Sequence, residues 1–165
     1  MSIRQRPAEA DDRAIPGHWE GDLLLGRQWT QIATVVERST RSTVLVALDG
    51  RDVTTVTAGL SQTMSRLPEQ VRMSLTWDQG MELADHKTVT INTGLDLYFV
   101  DPRSPWQRGT NENTNRLLRP YLPKSQSMAH PTQDDPDAIA AKLNSRARKT
   151  LDFHTPVDRF AALLH

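Results

Sequence analysis

The feature that most restricts the fold is a change of hydrophobic period at Asp49-Gly50. Before it, three β-rich segments follow one another through turn-length connections. Gly17 to Gly26 is an apolar run bounded by glycines, with Glu20 and Asp22 inside it. Gln31 to Glu37 carries Ile32, Ala33, Val35 and Val36, and after a turn at Ser39 to Ser42 the segment Thr43 to Leu48 is the third. Short β segments so joined predict an antiparallel meander. Beyond Asp49-Gly50, Val53, Val56, Leu60, Met64 and Leu67 recur at helical spacing until Pro68 stops the helix.

Strands and helices then alternate. Ser74 to Asp78 reads as a short strand ending on an acid, and Gln79-Gly80 turns the chain. Met81 to Thr93 mixes helix formers (Glu82, Leu83, Ala84) with a β-branched run, and its place between two strands favours helix. Leu95, Leu97 and Phe99 alternate with polar and apolar neighbours in a fifth strand. Asp-Pro and Ser-Pro turns at 101–105 lead through Gly109 into a helix ending near Tyr121-Leu122. A capping start at Thr132 to Asp135 opens a helix to about Arg146, and Thr155-Pro156 caps a last one through Leu164. The class expected is α/β: a mixed five-stranded sheet, three antiparallel strands then two more, with helices on both faces.

The remaining composition sets bounds. At 165 residues the chain is one domain, and no apolar run approaches the ~18 residues of a membrane span. Residues 1–16 are polar and charged, which is no secretory signal and reads as a flexible linker before a core at 17–165. The absence of cysteine removes disulfides, thiolate metal sites and cysteine nucleophiles. A cytoplasmic protein is the plain reading. Basic and acidic residues balance at 20 each, which argues against a stand-alone nucleic-acid binder. Local charge differs, because Arg103, Arg108, Arg116, Arg119 and Lys124, then Lys142, Arg146, Arg148 and Lys149, cluster in the C-terminal third. Such a cluster is a solvated face unless something else points to phosphate.

Three acids stand at parallel places: Asp22 in the first strand, Asp78 at the end of the fourth, and Glu112 at a helix start. Each alone has a structural reading, as a satisfied strand acid, a turn former, and a first-turn carboxylate. Together they matter more, because strand ends and helix N-termini on one edge of a mixed sheet converge where ligands bind. Converging carboxylates without cysteine form an oxygen-only site suited to Mg²⁺ or Mn²⁺. Two such ions serve phosphodiester chemistry. Glu112, Arg116 and Arg119 follow at i, i+4 and i+7, so one helical face carries an acid and then two bases, a stripe that can meet phosphate. The five histidines show no metal-ligand spacing, and Glu20 and Glu82 flank the acids as supporting groups or surface charges. Trp19, Trp77 and Trp106 sit beside the three acidic motifs as packing, with Trp106 the one placed to touch DNA.

Three motifs carry a resemblance: Gly17-His18-Trp19-Glu20-Gly21-Asp22, Thr76-Trp77-Asp78-Gln79-Gly80, and Ser104-Pro105-Trp106-Gln107-Arg108-Gly109-Thr110-Asn111-Glu112-Asn113. Together they resemble the DDE transposases of bacterial insertion sequences, IS-thirty group, whose catalytic core is of integrase type. The 34 positions from Asp78 to Glu112 agree with that group, and Arg119 matches a basic residue of the wider integrase core. The tail Leu143 to Pro156 is also similar, with Ala147 and Asp152 where Pro and Gly are expected, which leaves that turn open. The resemblance implies a ribonuclease H-like fold and two Mg²⁺ or Mn²⁺ ions on Asp22, Asp78 and Glu112. It implies hydrolysis at a transposon end to free a 3′-hydroxyl, then attack of that hydroxyl on target DNA. It implies DNA contacts from Trp106, Arg108, Asn113, Arg116, Arg119 and Lys124, and a homodimer or higher assembly on transposon ends and target. No segment resembles the helix-turn-helix recognition region of full transposases. That keeps open a second reading, a catalytically silent core acting as a DNA-holding or oligomerisation module.

Overall fold

The glycine-bounded run becomes strand β1 (His18–Leu25), which pairs antiparallel with β2 (Gln31–Glu37), itself antiparallel to β3 (Thr43–Ala47). The computed structural model describes residues 2–8, 15–48, 52–77, 86–100, 109–128, 133–146, 148, 151 and 153–164, leaving aside the side chains of Trp29, Val53 and residues 109–112. Helix α1 (Val53–Ser65) starts where Asp52 accepts a hydrogen bond from the Thr55 amide at 2.9 Å. Next come β4 (Ser74–Trp77), α2 (His86–Thr93) and β5 (Asp96–Phe99). Strand β4 lies parallel to β1 and β5 parallel to β4, giving the sheet order β3-β2-β1-β4-β5. Helices α3 (Gly109–Leu118), α4 (Asp134–Asn144) and α5 (Pro156–Leu163) complete the fold. Helix is found over 86–93 as the sequence predicts, while residues 81–85 lie outside the described residues.

Alternation along the strands separates two faces. On one, Trp19, Val35, Val46, Leu75 and Leu97 pack with Val56, Leu60 and Met64 of α1 and Val89 of α2. Phe160 of α5 meets the Trp19 ring edge-on at 6.0 Å. On the other, Leu24, Ile32 and Leu45 pack with Leu118, Leu122, Met128 and Leu143 from α3, the segment after it, and α4. The sheet is thus covered on both sides, as expected.

Two expectations change, and the turn left open gains a described residue. Residues 2–6 are not a loose linker. A Ser2/Gln5 capping box closes a 3-10 turn at Ile3–Gln5, Ile3 is buried, Ser2 bridges Phe99 in parallel, and Arg6 reaches Thr76. Helix α4 begins at Asp134, with Gln133 at its cap making no capping bond, and Thr132 lies outside the described residues. Among the described residues of the tail turn, Phe153 is left-handed at φ 64°, and the loop closes by Phe153 N–H to Arg148 O at 2.7 Å and Arg148 N–H to His154 O at 3.0 Å.

Gln133 has another task. Its Oε1 accepts from the Ala47 amide at 2.8 Å and its Nε2 donates to Leu45 O. At the other end of α4, Asn144 accepts from the Thr43 amide and donates to Thr43 O, both at 2.8 Å. Two side-chain amides therefore stand in for a neighbouring strand along the sheet edge, where unpaired backbone groups invite other chains. Gln133→Ala and Asn144→Ala should each cost about 1–2 kcal/mol and promote self-association. Urea midpoints and light scattering check this, and unchanged values for both would show the edge needs no cover.

Candidate active site

Asp22 sits in the middle of β1 opposite Thr34, half-buried, on the same strand face as Glu20 and Leu24. Its Oδ1 accepts the Leu23 amide at 2.8 Å, which fixes the carboxylate. Its Oδ2 lies 3.5 Å from Asn115 Nδ2. That contact crosses from β1 to α3, which packs on β1 and β2. One turn further, Arg119 Nη1 donates to Leu25 O at 3.0 Å and to Leu122 O at 3.3 Å. The helix thus advances along β1, and its face toward the strand carries Asn115 and Arg119. Glu112 shares that face, one turn before Asn115, although its side chain lies outside the described residues.

The strand around Asp22 is rigidly held. Glu20, on the same face, is buried against Arg38 with 3.0 Å between Oε1 and Nε, so it is a supporting ion pair and not a surface charge. Trp19 is fully buried and donates through Nε1 to Val71 O at 2.8 Å. Gly21 has a spatial role: a Cβ there would overlap Cε3 and Cζ3 of Trp77. The ring lies against the glycine, and each partner precedes an acid of the candidate set in sequence. Gly21→Ala should therefore cost about 1–3 kcal/mol through overpacking and disturb both acids. A wild-type urea midpoint with wild-type activity would refute that packing argument.

The other sequence-predicted residues fall into three groups. Asn113 and Arg116 are exposed on α3, and Lys124 is exposed in the loop after it, which packs against the β1–β2 turn through Arg27 N–H to Gln126 O at 2.7 Å. Arg119 is half-buried and tied to the two carbonyls, so the structure gives it a packing role that its place on a basic stripe did not suggest; burial lowers its pKa. Asp78, Trp106 and Arg108 lie outside the described residues. Among the described residues no three His, Cys, Asp or Glu gather as a metal site. His18 is instead buried against Ser74 Oγ at 2.7 Å, and His86 packs edge-on to Phe99. Asn115 and Arg38 were missed by sequence reading. Asn115 could have been found, since it lies i+3 from Glu112 on the same helical face.

Comparison with known proteins agrees with this geometry. Over 164 residues the chain is 50% identical to the transposase InsI for insertion sequence element IS30A of Escherichia coli (strain K12), covering 98% of this chain and 43% of that protein. It is 45% identical over 165 residues to the transposase for insertion sequence element IS1086 of Cupriavidus metallidurans, covering 99% and 49% respectively. The chain thus spans less than half the length of these curated relatives. The crystal structure of the catalytic core domain of BIV integrase superposes with a TM-score of 0.67 at 18% identity, covering 90% of this chain and 96% of that one, so the fold is ribonuclease H-like. Residues 12–105, more than half of the chain, match the family described as Integrase core domain, and the chain belongs to that family.

Proposed function

We propose that the chain is the catalytic domain of an IS-thirty-type DNA transposase, in which Asp22, Asp78 and Glu112 hold two Mg²⁺ or Mn²⁺ ions. The observation that carries this reading is the contact between Asp22 Oδ2 and Asn115 Nδ2, because it lays the Glu112-bearing face of α3 on β1. The strand register supports it: β1 and β4 pair with an offset of 56 positions, and the same offset separates residue 22 from residue 78. The donor set fits such ions, being oxygen-only and free of cysteine. A long Asn115 contact on one carboxylate oxygen is also easily exchanged for a stronger ligand.

The ions, when bound, supply activation of the attacking oxygen and stabilisation of the leaving oxygen. Asp22, its carboxylate aimed by the Leu23 amide, would hold such an ion from β1. Glu112 closes the site from α3, and Asn113, Arg116 and Lys124 meet the strand's phosphates as charged or polar donors. The reaction is hydrolysis at a transposon end to free a 3′-hydroxyl, followed by attack of that hydroxyl on a target phosphodiester. Joining two ends to one target calls for at least two such sites, hence a homodimer or larger assembly. A cytoplasmic place of action goes with a DNA substrate and bacterial relatives. No described helix is long and apolar enough to cross a membrane. The test is nicking or joining of duplex DNA by the chain in Mg²⁺ or Mn²⁺, with loss in Asp22→Asn. Wild-type activity in that variant would overturn the reading.

A further inference from the structure

The N-terminal segment is unexplained by the site as described so far, yet it is built onto the catalytic end of the sheet. Ser2 bridges Phe99, the last residue of β5, and the 3-10 turn at Ile3–Gln5 packs against that strand with Ile3 buried. Arg6 then crosses to β4, where Nη1 donates to Thr76 Oγ1 at 2.9 Å. Thr76 is opposite Glu20 in the β1–β4 register, and Glu20 shares a face with Asp22. Strand geometry puts Thr76 roughly 8 Å from Asp22, one strand across and two residues back. Tyr98, opposite Thr76 on β5, has its hydroxyl pKa raised by burial and by Asp96, while Arg6 acts in the opposite sense. Arg6 therefore lies over Thr76 and Tyr98, on the sheet face that α3 covers at β1 and β2.

That arrangement leaves Asp22 between two walls, α3 on one side and the N-terminal segment on the other. Both walls carry arginines: exposed Arg116 on α3, and exposed Arg4 with half-buried Arg6 on the segment. We propose that residues 2–6 form the second wall of the DNA-binding cleft, with Arg4 and Arg6 receiving the phosphate backbone of the strand that reaches Asp22. This rests on the reading of the site as a DNA-processing centre. The Thr76 bond anchors the Arg6 guanidinium at Nη1, and the rigid donor fork of a guanidinium matches a phosphate. Arg4, two residues earlier on a capped three-residue turn, sits on a backbone held in place before DNA arrives.

The experiment is equilibrium binding of a fluorescent duplex oligonucleotide to the 165-residue chain, in EDTA and across a salt series. Arg4→Ala/Arg6→Ala should weaken binding about tenfold and flatten the log–log salt slope by about two units, as expected for two lost phosphate contacts. Arg4→Ala alone, at an exposed position that cannot unfold the domain, should remove about one unit. Arg66→Ala, exposed beyond α1, should change neither. Wild-type affinity and slope in Arg4→Ala and in the double variant would overturn the proposal while leaving the catalytic reading intact. Asp22→Asn should bind DNA like wild type without cutting it, so loss of chemistry and loss of this wall give different patterns. A wild-type chain that binds no DNA would sink both.

Discussion

Asp22→Asn is expected to lower metal-dependent nicking and joining of DNA by about a thousandfold or more, with the fold intact. The size follows from losing a charged ligand to ions that stabilise the transition state. At 1.36 kcal/mol per tenfold, a thousandfold is about 4 kcal/mol of lost stabilisation. The fold should survive because asparagine keeps an oxygen for the Leu23 amide, and Asp22 is only half-buried on a strand held by Trp19, Gly21 and Glu20. On the proposed assignment, Asp78→Asn and Glu112→Gln should fall to a similar floor, and a double variant should lose little more, as expected of groups that act as one unit. Circular dichroism and a urea midpoint separate this from unfolding. A folded Asp22→Asn with activity within a few-fold of wild type would contradict the assignment.

Glu37→Ala is expected to unfold the domain far more readily while leaving the chemistry of the folded fraction alone. Glu37 is fully buried at the end of β2, opposite Trp19 and away from Asp22. Its Oε1 accepts the Gly17 amide at 3.1 Å. Its Oε2 accepts Ser39 Oγ at 2.8 Å, the Thr40 amide at 2.8 Å and Thr40 Oγ1 at 2.6 Å. One carboxylate therefore ties the start of β1 to the β2–β3 turn. Truncation orphans buried donors, at a cost of about 3 kcal/mol or more. For a domain of this size that lowers the melting temperature by about 6–12 °C. Glu37→Gln keeps the volume but turns one acceptor into a donor facing donors, so it should lose about 2 kcal/mol. A loss below 1 kcal/mol in Glu37→Ala would show that water replaces the carboxylate easily.

Much of the architecture was legible because it is written in local patterns. Glycine and turn residues bound β1 to β3, the period change at Asp49-Gly50 marks α1, and Thr155-Pro156 marks α5, where Thr155 does accept the Asp158 amide at 3.2 Å. Asp22 stands in β1, where the strand reading put it, while Asp78 lies outside the described residues. What escaped was carried by contacts between distant residues. Arg6 and Thr76 are 70 positions apart, and Gln133 and Asn144 cover an edge strand 86 and 101 positions away. A polar start with one isoleucine carries no local sign that it will be pinned to β5. Nothing local marks Glu37 as buried, since its partners come from a turn and from a residue 20 positions earlier. Arg119 illustrates the converse: the helical stripe offered it to a DNA backbone, and no local pattern showed that it would also donate to Leu25 O across the fold.

The central claim is that Asp22, Asp78 and Glu112 share a divalent metal, and Mn²⁺ soaked into crystals of the chain tests it most directly. Anomalous difference density should appear at Asp22, Asp78 and Glu112, and be absent there in crystals of Asp22→Asn. Density that is absent at saturating Mn²⁺, or that is held by other residues and unchanged in Asp22→Asn, would contradict the account.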